Sequence, residues 1–474
     1  MTPATPATIR FGTDGWRARI ADEFTFENVR ACAQGLADHI NENELSSKGV
    51  VVGFDTRFLS DQFAAEVARV IAKSGIQVWL ADRPAPTPAT SFAVTHFGAA
   101  AGVMITASHN PAQDNGFKVK SALGGSAPPE MVSLIEARVA AVLSDRVGRH
   151  ASKRQKVARY DPTSLFRGQL KRVIDIDRLR GSALKVAVDP MHGSGSGILP
   201  KLLRGGKLEL TEIRSERNPA FPGMQQPEPV AGNLRDLMEA VVTLRADVGI
   251  ALDGDADRVG IVSEAGVYFT TLEVFSLLTQ HLWERRRAKG GVACTITQSS
   301  MLDGLARHHK REVFRTAVGF KFVGPAMLKN KCALGGEESG GYAFDGHIPE
   351  RDGALSGLLF LEAMVMSGEK PSELLSDLHK IAGPHSFKRI DLKFATPKRK
   401  LVAGKLGTAN PANIGELAVR SVSRSDGMRV DLAGDAWAVA RLSGTEPLVR
   451  LYAEAPDERT RDLILADLRT ILGV

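Results

Sequence analysis

Ala99-Ala-Ala-Gly-Val-Met-Ile105 runs directly into Thr106-Ala-Ser-His-Asn-Pro111. A short apolar run that ends in small polar residues and a proline reads as a buried strand delivering a loop. Ser108 sits in the middle of that loop. Working outward, the apolar run Val50–Phe54 and residues 77–80 read as further strands. Periodic segments at 25–41, at 58–74 and after Pro88 read as helices. Strands alternating with helix-length segments predict an α/β layered domain.

Composition bounds what the rest can be. The chain has 474 residues, 43% hydrophobic and 24% charged. That length suggests three or four domains, and the composition excludes collagen-like and wholly disordered classes. Residues 1–9 show neither the charged start nor the apolar core of a secretory signal. The longest apolar run, 354–366, is interrupted by Glu362 and is too short to span a bilayer. Cys32, Cys294 and Cys332 are widely and irregularly spaced, as expected of free thiols in a reducing compartment. A cytoplasmic protein is expected, with no membrane contact. The net charge of +7 and pI of 9.3 call for an anionic partner to be weighed. The basic clusters at 146–159, 285–289, 307–311 and 398–400 lack interleaved aromatics, so no nucleic-acid partner is expected and phosphorylated small molecules fit better.

The α/β alternation recurs twice. One unit opens with a helix at 162–173 and a strand at 184–188, and continues through a helix to a strand at 247–252. The glycines at 193, 195 and 197 are spaced G-x-G-x-G, which does not match a dinucleotide fingerprint. Another unit begins near Ala265 and ends with helices at 353–366 and 372–381. Beyond Gly383-Pro384 the pattern changes to strands near 387–393, 416–422, 436–442 and 448–453 with a closing helix from Pro456, a small α+β domain. The expected domains are 1–155, 156–263, 264–384 and 385–474.

Four loops carry chemistry. Asp253, Asp255 and Asp257 in Leu252-Asp-Gly-Asp-Ala-Asp-Arg258 place three carboxylates at alternate positions. They would repel one another unless a hard cation such as Mg²⁺ neutralised them. An EF-hand, a D-x-D phosphatase with Asp253 as nucleophile and a plain acidic turn compete with this reading. Ser108 is a weak nucleophile without help; His109 is adjacent and Lys118 follows in Asn115-Gly-Phe-Lys118, yet a Ser-His pair is also an ordinary turn. The segment lacks the G-x-S-x-G elbow of a hydrolase. Glu337 and Ser339, flanked by paired glycines, offer acceptors for sugar hydroxyls, or else form a solvated turn. Arg441-Leu-Ser-Gly-Thr-Glu-Pro447 could nest a phosphate through Arg441, Ser443, Gly444 and Thr445, or simply join two strands.

Together the four describe phosphoryl transfer on a sugar phosphate. In order and spacing they resemble the four signatures of the α-D-phosphohexomutase family, and Gly12-Thr-Asp-Gly-Trp-Arg17 extends the likeness to the start of the chain. The resemblance implies a heart-shaped α/β protein, with three similar mixed-sheet domains and a C-terminal α+β domain around a central cleft. It implies a phosphorylated Ser108, and Mg²⁺ held by Asp253, Asp255, Asp257 and the phosphoserine. Arg17, His109 and Lys118 would surround the transferred group, with Lys118 as general base. Glu337 and Ser339 would grip the sugar, with Arg258, Lys321 and His347 near it, and the loop at 441–445 would hold the other phosphate.

The implied reaction passes a phosphoryl group from Ser108 to a hexose 1-phosphate. The resulting 1,6-bisphosphate turns end for end and returns its other phosphate, in a monomer or weak dimer activated by glucose 1,6-bisphosphate. The fourth domain is expected to open for that turn. Glu338 tips the expected substrate towards glucose, a phosphoglucomutase activity, with mannose and glucosamine phosphates as alternatives. A Mg²⁺-dependent sugar phosphatase and a non-catalytic sugar-phosphate sensor are the remoter readings.

Overall fold

The computed structural model describes residues 9–12, 14–144, 155–443 and 448–474. The chain forms two compact units, Met1–Val274 with Ser339–Ser372, and Phe275–Glu338 with Glu373–Val474.

The first unit holds two sheets of one design. In the six-stranded sheet the order is Trp16–Arg19, Asp114–Ser121, Ala101–Ile105, Val50–Phe54, Val78–Ala81 and Val157–Tyr160. The last four strands run parallel and the first two are antiparallel. Val50–Phe54 and Ala101–Ile105 are buried throughout, as expected of central parallel strands covered by helices on both faces. The five-stranded sheet repeats the pattern: Glu209–Glu212, Lys185–Asp189 and Val248–Leu252 are parallel, and Val259–Ser263 then returns antiparallel beside Tyr268–Phe269. Ser108 and the aspartates therefore occupy equivalent places, each in the loop that turns a buried parallel strand into an antiparallel partner.

Two boundaries differ from expectation. Val157–Tyr160 pairs with Val78–Ala81 and belongs to the first sheet, although it lies beyond residue 155. Tyr268–Phe269 closes the second sheet, beyond residue 263. Most of the basic cluster at 146–159 lies outside the described residues. The apolar run at 354–366 is a buried helix, Gly353–Ser367, capped by the Asp352 carboxylate, which accepts from the Leu355 N–H. No helix among the described residues is long and apolar enough to cross a membrane.

In the second unit, Val292–Thr295 lies between Val313–Thr316 and Leu334–Gly336, all parallel. The C-terminal sheet is antiparallel, in the order Ser386–Lys393, Leu448–Ala455, Trp437–Leu442, Met428–Leu432, Leu417–Ser423, Asn413–Ile414. Ser386–Lys393 and Leu417–Ser423 stay largely solvated. The core lies on one face, where Val402, Leu406, Ile464 and Leu468 of two helices pack. The three cysteines are free and buried.

Candidate active site

The serine loop is held by a residue that the sequence did not single out. Arg57, wholly buried after the strand Val50–Phe54, donates to the carbonyls of Ser108 (2.6 Å), Asn110 (2.6 Å), Pro111 (2.8 Å) and Asp114 (3.0 Å). Ser108 has φ +52°, an uncommon conformation for serine, and its N–H donates to the Thr106 hydroxyl at 2.8 Å. Four carbonyls gathered on one guanidinium over-determine that backbone.

The loop 253–258 meets it. The Ser108 hydroxyl donates to Asp253 Oδ2 at 2.9 Å, and His109 Nδ1 lies 3.3 Å from Ser108 Oγ. Gly254 permits the approach, because a Cβ there would stand 2.6 Å from the Ser108 carbonyl oxygen. The glycine run after Asp189 buttresses the loop from behind, Ser194 N–H donating to the Gly254 carbonyl at 3.0 Å. Strands on both sides of the aspartates dispose of the EF-hand reading, which needs helices.

One ligand oxygen from each of Asp253, Asp255 and Asp257 lies within 4.8 Å of the others, and all three residues are buried. Burial and the charges of Asp257 and Asp255 hold Asp253 well above the usual carboxylate range. Burial also raises Asp257, against the pull of Arg351. Asp255 goes the other way: burial opposes its charge, but the Lys118 ammonium and the Thr87 hydroxyl, donating at 2.5 Å, hold it low. Asp255 Oδ1 and Asp257 Oδ1 accept no hydrogen bond among the described residues. Buried, mutually repelling carboxylates with free oxygens fit a hard divalent cation.

Cations line the opposite side. Lys118 lies on the strand Asp114–Ser121 rather than in an extended loop, with Nζ 2.9 Å from Asp255, 2.8 Å from Asp14 and 3.6 Å from Asp257. Burial favours its neutral form, but these three carboxylates outweigh burial and hold it above its ordinary value. Arg351 bridges Asp14 at 2.6 Å and Asp257 at 2.9 Å. Asp14 and Arg351 were missed as site residues. Gly12-Thr-Asp-Gly contained the first as a turn residue, whereas nothing local marked the second. Arg17 Nη1 donates to Asn110 Oδ1 at 2.8 Å, beside the serine loop. Burial, reinforced by Arg258 and Arg17, keeps the His109 imidazole neutral.

The remaining expected residues are not all gathered here. The His347 side chain is buried, one ring nitrogen 2.9 Å from Asp352 and the other 3.3 Å from Gln169 Nε2. It braces the helix cap. Arg258 is buried and donates to Glu228 at 2.8 Å. Ser339 belongs to the first unit and is half-buried. In the second unit, Glu337 is buried, and the Thr297 hydroxyl donates to the neighbouring Glu338 at 2.7 Å. Lys321 lies in the first turn of the helix Phe320–Lys329 with its ammonium 5.4 Å from the Phe322 ring. Arg441 donates to Asp426 at 2.7 Å, and the Ser443 carbonyl accepts from Arg399 at 2.7 Å. Gly444 and Thr445 lie outside the described residues.

A serine hydroxyl lodged against three carboxylates, on tandem α/β domains, is the constellation of a phosphoryl-transfer enzyme. Family models for phosphoglucomutase/phosphomannomutase match the chain domain by domain: α/β/α domain I at 8–146, domain II at 166–266, domain III at 273–381 and the C-terminal domain at 398–471. A phosphoglucomutase/phosphomannomutase of Thermococcus kodakarensis is 31% identical over 94% of this chain and 95% of its own. A phosphoglucosamine mutase of Idiomarina loihiensis is 31% identical over 94% of each. A crystal structure from Thermus thermophilus, described as a phosphomannomutase, superposes with a TM-score of 0.85 at 33% identity, covering 99% of this chain and 100% of that one. The chain belongs to the α-D-phosphohexomutase family and has its four-domain α/β architecture. Its activity is that of a phosphohexomutase, an isomerase acting on sugar phosphates.

Proposed function

We propose that Ser108 is the phosphoryl carrier of this isomerase and that glucose 1-phosphate is its principal substrate. The observation that carries the first part is the 2.9 Å hydrogen bond from Ser108 Oγ to Asp253, inside a cluster of three buried carboxylates. Phospho-Ser108 gives its phosphoryl group to the free 6-hydroxyl of the hexose 1-phosphate. The P–O bond to serine breaks, a P–O bond to the sugar forms, and the proton of the 6-hydroxyl ends on the released Ser108 oxygen. The 1,6-bisphosphate then turns, and its 1-phosphate returns to Ser108. If the bisphosphate escapes, the serine is left bare, so glucose 1,6-bisphosphate would act as an activator by restoring phospho-Ser108.

Phosphoryl transfer depends mainly on position and on neutralising oxygen charge. Asp253, Asp255 and Asp257 would hold Mg²⁺, which supplies charge neutralisation beside the serine. Lys118 stands where it can neutralise the transferred group as an ammonium. To serve as the general base it must first lose a proton that its three carboxylate partners retain. Neutral His109 lies 3.3 Å from the Ser108 oxygen, and Arg17 is held beside the serine loop by Asn110. A phosphatase nucleophile at Asp253 is disfavoured, because both of its oxygens accept hydrogen bonds, from Ser108 Oγ and the Arg258 N–H.

The choice of sugar rests on Glu338. Its carboxylate, fixed by the Thr297 hydroxyl, offers an acceptor suited to a neutral sugar hydroxyl. The same carboxylate suits the ammonium of glucosamine 1-phosphate, and the named phosphoglucosamine mutases among the relatives favour that second reading. Glucose, mannose and glucosamine 1-phosphates, each supplied with Mg²⁺ and a trace of its bisphosphate, separate these. The 6-phosphate is expected fastest from glucose, with a mass increase of one phosphoryl group on the resting protein. Full activity in Ser108→Ala would end the carrier reading, and faster turnover of glucosamine would end the glucose reading.

A further inference from the structure

The second unit carries a half-open pocket of about 250 Å³ that none of the four signature loops lines. The helix Met301–His309 and the strand Val313–Thr316 form one wall, and the strands Leu417–Ser423, Met428–Leu432 and Trp437–Leu442 the other. Arg307, Arg315, Arg420 and Arg429 reach it, against Asp303, Asp431 and Asp435. Four arginines facing three aspartates leave one positive charge in excess.

The pairing is uneven. Arg315 forms a two-pronged bond to Asp303 at 2.9 and 2.6 Å, and Arg429 Nε donates to Asp431 at 2.8 Å. Arg307 and Arg420 share Asp435, at 2.6 and 3.4 Å, so the second is only loosely held. Two donors are buried with no hydrogen-bond partner among the described residues, Arg315 Nε and Trp437 Nε1. Arg429 is buried against the Trp437 ring, 4.8 Å from its centroid. Burial and the like charge of Arg315 both press it to lose its proton. Buried like charges and orphaned donors are costly unless an anion meets them.

We propose that this cavity is a second anion site, taking a small hydroxylated phosphate monoester. Guanidinium forks match the terminal oxygens of a phosphate, and the lining carboxylates would accept from the hydroxyl groups of the ester. The volume of about 250 Å³ falls just below the usual range for drug-sized ligands, as expected for a small ester. Because its walls come from separate elements of the unit, a bound ester would tie them together and raise thermal stability.

Calorimetric titration of the full chain with glycerol 3-phosphate tests this. The expected result is a binding event that survives in Arg441→Ala, weakens at least tenfold in Arg420→Glu, and weakens likewise in Arg315→Gln. Arg420 is 58% exposed, so its charge reversal leaves the fold standing. Three outcomes would overturn the proposal. These are no binding event, an event lost in Arg441→Ala but kept in Arg420→Glu, and displacement by sulfate at equal concentration, which would mark an unselective anion sink.

Discussion

Around Ser108 the side chains of Lys118, Asp255, Asp257 and Arg351 are at most 4% exposed, and each touches at least one other. In the second unit, Arg441 and its partner Asp426 stand at 18% and 22%, and Glu338 is half-buried on a pair of threonines. The first region is buried and densely ion-paired; in the second, Arg441 and Asp426 are more exposed to solvent. The difference follows from the task. A phosphoryl group must be met by charges that do not reorganise at the moment of transfer. The proposed mechanism would instead ask the loops of the second unit to accept a sugar in two orientations.

If that contrast holds, lesions in the buried region cost turnover and lesions in the more exposed one cost affinity. Ser108→Ala should have the largest effect, a fall in kcat on the order of 10⁴ or more with the fold intact, read by coupled assay and intact mass. Chelation of divalent metal, or Asp255→Asn, should lower kcat roughly 10³-fold, since a bound cation supplies several kcal/mol of charge stabilisation. Isothermal titration with Mg²⁺ should show weakened binding in Asp255→Asn, a readout independent of turnover.

Arg351→Met examines the network rather than the reacting atoms. It frees Asp14 and Asp257 of their shared cation, and a displacement of about 1 Å at Lys118 should cost roughly 10²-fold in kcat with KM little changed. In the second unit the pattern should reverse. Glu338→Gln removes the charge from one hydrogen-bonding group, and a charged hydrogen bond is worth about 1.5–3 kcal/mol, so KM should rise roughly tenfold or more while kcat holds. A fall in kcat of equal size would place Glu338 in the chemistry and erase the contrast.

The loops were legible from sequence because their composition is extreme: three aspartates in five residues, or a serine among small polar residues after an apolar strand. The parallel strands were legible because burial on both faces leaves continuous apolar runs. The strand Asp114–Ser121 was not, since it reads Asp-Asn-Gly-Phe-Lys-Val-Lys-Ser and its lysines look solvated. Lys118 and Lys120 are buried there only because Asp255, Asp14 and Glu350 come to meet them from distant segments. Arg57 and Arg351 were overlooked for the same reason, their partners being fixed by the fold. His347 was named only through the family resemblance; packing turns its ring onto Asp352, a partner that no local pattern reveals.

The smallest expected effect concerns stability in the second unit. His385, just past Gly383-Pro384, has Nδ1 2.7 Å from Glu454, whose Oε1 also accepts from the Ser299 and Ser300 hydroxyls. Burial would lower His385, but the Glu454 hydrogen bond and charge outweigh it and raise the imidazole, with Asp435 adding to the pull. His379 is a second histidine nearby, itself kept low by burial and by His385. A raised histidine contributes stability that is fully present below its unfolded pKa of about 6.5 and is lost as pH rises through the folded value. Glu454 is lowered despite burial, through its bonds to His385 and the serines, so its share disappears at the acid end. The melting temperature of the native chain minus that of His385→Gln should therefore be greatest in mildly acidic solution. It should decline above about pH 6.5, by on the order of 2 °C if the pair is worth about 1 kcal/mol. A difference that stays flat from pH 5 to 9 would mean that the His385 pKa does not change on folding and that Glu454 does not stabilise the charged imidazole.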